Sequence, residues 1–72
     1  MSTPGFAVKD TQNGTIDVRT VCPARTGAQV NWLFYQNVVV MQGVPDAMID
    51  ATFNELAKDR WKVVPVRIEE LN

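Results

Sequence analysis

The pattern of apolar and polar positions is densest between Pro23 and Asn37, where a predicted helix carries apolar residues on two opposite sides. At roughly 100° per residue, Val30, Leu33 and Phe34 share one stripe, and Ala28, Trp32 and Tyr35 share another on nearly the other side. Arg25, Gln29, Asn31 and Gln36 fill the flanks. A helix on the surface of a small domain needs one apolar stripe for its own core, so the second must meet another helix, another subunit or a partner. Val30, Leu33 and Phe34 carry no polar side-chain atoms and suit the domain's own core. Trp32 and Tyr35 join a large apolar body to a polar tip, which suits an interface. Ala28, Trp32 and Tyr35 are therefore the expected interface residues, with a homodimer through paired first helices as the expected contact. Two other arrangements stay open: the second helix of the same subunit could cover that stripe, or the two stripes could exchange roles.

Before this helix the pattern alternates. Residues 1–5 read as a loose lead, and Phe6 to Lys9 begin a strand. Asp10 to Gly14 is turn chemistry, with Asn13-Gly14 as a hairpin signal because both residues tolerate positive φ. A second strand is expected over 15–21, with Ile16, Val18 and Thr20 on one face and Asp17, Arg19 and Val21 on the other. Cys22-Pro23 closes it, and proline at or near the first helical position loses no needed hydrogen bond. After the helix, Val38 to Met41 is a β-branched run too short to be helical and reads as a short buried strand. Pro45-Asp46 opens a second helix to about residue 59, with Ile49, Phe53, Leu56 and Ala57 in a single stripe. Trp61 leads into a last strand over 62–68, where Pro65 demands an edge position or a bulge.

The pattern thus predicts helices near 24–37 and 45–59 and strands near 6–9, 15–21, 38–41 and 62–68. The expected fold class is a small two-layer α+β domain of order β-β-α-β-α-β, one mixed sheet with both helices on one face. A chain of 72 residues is one domain and buries only about 60% of the surface its unfolded form exposes. Scaling by length gives a stability of about 4 to 11 kcal/mol, which burial in an oligomer would usefully supplement.

Charge and candidate chemistry narrow the function classes. Net charge is -1, with seven basic residues scattered among eight acids. Neither a basic footprint for nucleic acid nor an acidic tail is present. No apolar run approaches the length of a membrane span, and the first residues lack a signal-peptide layout. The expected setting is cytoplasmic, with no membrane and no direct nucleic-acid contact. The sequence holds no histidine and one cysteine, which removes the usual general base, the commonest zinc ligand and any Cys-His pair. Cys22 beside a helix start, with Arg25 near, is the best thiol candidate, and its expected role is structural. Arg25, Thr26 and Gly27 in a first helical turn could receive an anion, but Gly27 lacks the spacing of a phosphate loop. Asp46 and Asp50 are expected to serve the positive end of their helix. No catalytic, cofactor-binding or metal residue is expected, and a non-enzymatic role follows.

The run Gly14-Thr15-Ile16-Asp17-Val18-Arg19-Thr20-Val21, then Pro23, then Val30-Asn31-Trp32-Leu33, closing with Val64-Pro65-Val66-Arg67-Ile68, resembles small uncharacterised proteins carried by bacterial phages and prophages. The resemblance covers most of the chain and carries no ligand motif. It implies a small binding protein, similar to anti-CRISPR inhibitors, which block host machinery without cofactors. A near-neutral chain fits occlusion of a protein surface in a CRISPR effector or another defence complex better than imitation of DNA. The alternative is a homo-oligomeric structural or regulatory interaction protein of no assigned pathway.

Overall fold

A computed structural model describes residues 2–69. The chain forms β1 (Ser2–Asp10), β2 (Thr15–Cys22), α1 (Arg25–Tyr35), α2 (Asp46–Ala57) and β3 (Trp61–Glu69). The sheet is antiparallel, in the order β2-β1-β3. The domain is α+β, and its order is β-β-α-α-β, one strand fewer than the pattern predicts.

Alternation within the strands places the core. Val8 pairs with Val63, and both join Trp61 on the side where the helices pack, around Trp32, Leu33, Ile49, Phe53 and Ala57. Of the stripe expected on α2, Ile49, Phe53 and Ala57 are buried and Leu56 is exposed. Trp32 is the junction: its ring meets Phe53 edge-on at 5.0 Å and Trp61 at 5.8 Å. The turn after β1 exceeds two residues, with the Gly14 N–H donating to the Asp10 carbonyl and Gly14 at φ 73°. Pro65 lies on an edge strand, as its missing N–H requires.

Three expectations need correction. The strand over 38–41 is absent, and with it the expected mixed sheet, since both neighbours of β1 run antiparallel to it; α1 ends instead in a reversal that leads on to α2. Asn37 adopts φ 64°, its N–H donates to Phe34, and the Val38 N–H donates to Leu33. This is the paired bonding of a Schellman motif, whose left-handed residue is usually glycine and sometimes asparagine. Val38 and Val40 then pack against the core while Val39 and Met41 face outward. The alternation is that of an extended segment with one buried side and no ladder partner.

The second correction concerns the start of the chain. Ser2 to Gly5 belong to β1 and pair with Val66 to Glu69, so no loose lead is present over residues 2–5. Pro and Gly obscure a strand in the local pattern, and pairing with the far end of the chain creates it. The third is β2, whose simple alternation fails. Val8 pairs with Asp17 but Phe6 pairs with Cys22, leaving Val18 to Val21 opposite Ala7 alone. Thr20 closes the gap: its hydroxyl accepts from the Val8 N–H at 2.8 Å and donates to the Asp17 carbonyl at 2.6 Å. Ile16, paired with Lys9 outside the bulge, and Val18 face away from the helices and are exposed.

Candidate interaction surfaces

The two stripes of α1 are both split by the fold. Ala28, Trp32 and Leu33 are buried, and so is Gln29, at 2% exposure. Successive steps of roughly 100° put Gln29 near the middle of this buried arc, between the stripes. A polar residue there needs a partner, and α2 supplies it: the Gln29 amide donates to Asp50 at 2.7 Å, while Asn54 donates to the other Asp50 oxygen at 3.2 Å. Asp50 thus joins the helices instead of only facing a helix dipole. The expected interface of Ala28, Trp32 and Tyr35 is therefore corrected for its first two members. Both lie inside the domain, covered in part by the second helix, and are closed to a neighbouring molecule. The Trp32 indole N–H is the one buried side-chain polar atom without a partner among the described residues.

What remains outside is a different pair. Phe34 and Tyr35 are 61% and 44% exposed and meet edge-to-face at 5.5 Å. The bulge of β2 completes the surface, since the Arg19 guanidinium lies over the Tyr35 ring at 4.1 Å. Arg19 is held there by Asp17, with both carboxylate oxygens at 3.0 Å from the guanidinium. This pair is a two-point hydrogen-bonded ion pair. The hydrogen bonds from Arg19 hold the Asp17 carboxyl below its usual range and raise the Arg19 guanidinium. One turn earlier, Asn31 donates to the Thr20 carbonyl at 3.3 Å. The bulge is thereby fastened to the flank of α1. Phe34 was legible in the sequence as an apolar helix residue, but its exposure follows from the choice of Gln29 for the core.

Other candidates resolve into structural roles. An added Cβ at Gly27 would collide with the Cys22 sulfur, so Gly27 admits the close approach of β2 to α1. That packing accounts for the glycine without an anion. Cys22 is half-buried against it. Helix α1 begins at Arg25 after Ala24, without a side-chain cap, and Asp46 does lie in the first turn of α2.

Asp10 is the most heavily bonded acid. Its side chain is 4% exposed and receives two bonds from Arg60, at 3.2 and 3.0 Å, with further donors from the Gln12 backbone and the Asn13 amide. The Arg60 bonds hold its carboxyl below the usual range against the opposing effect of burial. Thr11 donates to the Arg60 carbonyl from both backbone and hydroxyl, so the turn after β1 is tied to the turn before β3.

A shallow open depression of about 470 Å³ lies at the far end of the sheet, lined by Pro4, Pro65, Val66 and Arg67. Among the described residues no group of three or more His, Cys, Asp or Glu could hold a metal ion. No helix among them is long and apolar enough to cross a membrane. Comparison with protein-family models, with curated proteins and with solved structures found no match to the chain.

Proposed function

We propose that this protein is a small, non-enzymatic binding protein of the phage or prophage type, acting in the cytoplasm of a bacterial host. It inhibits a bacterial defence complex, such as a CRISPR effector, by occluding a protein surface. The observation that carries this reading is the exposed group of Phe34, Tyr35 and Arg19. Tyrosine and arginine are among the residues that dominate binding energy at protein interfaces. These are presented with little conformational freedom left to lose. The helix end is fixed by its left-handed Asn37, and Arg19 is fixed by Asp17. A pre-ordered surface lowers the ordering cost of association. The net charge of -1 supports contact with a protein over imitation of a nucleic acid.

The test is phage plating on hosts with and without an active CRISPR system, expressing either the wild type or the Phe34→Ala/Tyr35→Ala double variant. Wild type should raise plating efficiency only on the CRISPR-active host. The double variant, with an unchanged far-UV spectrum, should fail to do so. A wild type that relieves no such system overturns the inhibitor reading, and a double variant as active as wild type moves the contact off this surface.

A further inference from the structure

We infer that the helix-free face of the sheet seats a second copy of this chain, packed sheet on sheet into an α-β-β-α sandwich. The face is read from the register. Val8 and Val63 point to the helices, so Lys62, Val64, Val66 and Ile68 of β3 point the other way. Lys9 pairs with Ile16 and Val8 with Asp17, which puts Ile16 and Val18 of β2 on the same helix-free side. The central strand contributes only small residues beside Lys9: Ala7, and Gly5, where an added Cβ would strike the Ile68 side chain. The result is an apolar surface of Ile16, Val18, Val64, Val66 and Ile68, with both lysines at one end.

An antiparallel sheet with one solvated face normally alternates apolar with polar residues, and a continuous apolar run marks a strand covered on both faces. Val63-Val64-Pro65-Val66 is such a run, yet the helices cover it only at Val63, and Val64 and Val66 lie on the side they leave bare. The body is correspondingly thin, 34 × 30 × 19 Å, and exposes 5260 Å². A compact monomer of this mass exposes roughly 4,500 Å².

Association through the edges is obstructed. Pro65 interrupts the donors of β3, and the bulge distorts β2, both devices that guard a sheet edge. The face is left. β1 and β3, of nine residues each, pair along about 30 Å, and β2 widens the sheet to about 14 Å over the Phe6 to Asp10 half. Two such faces, with their side-chain relief, approach the roughly 1,000 Å² a specific contact requires. The lysines select the orientation. Lys9 and Lys62 are paired neighbours, so parallel stacking would gather four of them. With strands antiparallel across the two-fold axis, each pair lies over the Thr3 end of the other copy. The like charges are then about 20 Å apart, beyond the roughly 8 Å screening length at physiological salt. A second copy satisfies the face on its own terms, and this assembly stands apart from the inhibitor reading.

Sedimentation equilibrium on the full chain provides the test, with wild type, Ile16→Lys/Val18→Lys and Phe34→Lys compared at equal concentrations. All three substituted positions are exposed, so folding should survive, as far-UV spectra would verify. Wild type should dimerise, Phe34→Lys should match it, and Ile16→Lys/Val18→Lys should weaken the dimer by at least roughly 100-fold, because the contact would then bury unpaired ammonium groups against an apolar surface. A wild type that stays monomeric at millimolar concentration overturns the proposal. So does a dimer that survives Ile16→Lys/Val18→Lys undiminished, or one that Phe34→Lys dissolves. The plating assay reads Phe34 and Tyr35 separately, so failure of either proposal is visible without the other.

Discussion

Trp32 and Tyr35 stand less than one turn apart on α1, yet the first is 3% exposed between Phe53 and Trp61 and the second is 44% exposed beneath Arg19. Their chemistry is similar, a large ring with a polar tip. The difference comes from what faces them. α2 offers Phe53 to Trp32 and a carboxylate to Gln29, and that combination rotates α1 until the arc between its two apolar stripes is inward. Tyr35 is carried to the flank, where the bulge of β2 meets it. Helix orientation here follows from one part-buried polar pair as much as from the count of apolar side chains.

The strongest way to break the inner cluster is to empty it. Trp32→Ala or Phe53→Ala should cost about 3 to 5 kcal/mol, a large share of the stability expected for this length, read as a lower midpoint in urea. Trp32→Phe should cost much less, because it keeps a ring against Phe53 and removes the unpaired indole N–H. Equal losses for the two variants would show that ring packing does not orient this helix.

Gln29→Ala tests the orienting pair and should cost about 1 to 3 kcal/mol. A double-mutant cycle with Asp50→Ala should return a coupling of about 0.5 to 3 kcal/mol. Additive losses would mean that the rotation of α1 is set by apolar packing alone.

Acid titration extends the comparison to Asp10, whose carboxylate is buried. The Asp10 carboxyl is held below its ordinary value of 3.8 by Arg60, so the unfolded chain binds its proton first as pH falls. The stability this group contributes is present in full above its unfolded pKa and is lost as pH drops through the lower folded value. Asp10→Asn should flatten the acid limb of a thermal-denaturation profile while leaving the Asp17 contribution, which has the same sign. An unchanged acid limb would remove Asp10 from the account.

The smallest effect belongs to the outer group. Phe34→Ala and Tyr35→Ala should each shift stability by no more than about 0.5 kcal/mol, as exposed positions do. A loss near that of Trp32→Ala would show that these rings are part of the fold and not a presented surface.

Elements with a local cause were legible in the chain. Helix α2 follows from the spacing of Ile49, Phe53 and Ala57, the turn from Gly14 at positive φ, the edge position of β3 from Pro65, and the doubled apolar character of α1 from its two stripes. Tertiary structure decided what depends on residues far apart in the chain. Residues 2–5 became strand through pairing with β3, and Val38 to Met41, after the reversal at Asn37, pack Val38 and Val40 on the core without joining the sheet. The surface of Phe34, Tyr35 and Arg19 was equally hidden. Which half of a two-striped helix turns outward depends on Asp50, 21 residues beyond Gln29, and on a bulge held by Thr20. A periodicity reports that a face is apolar, whereas only the packed neighbours fix which face they cover.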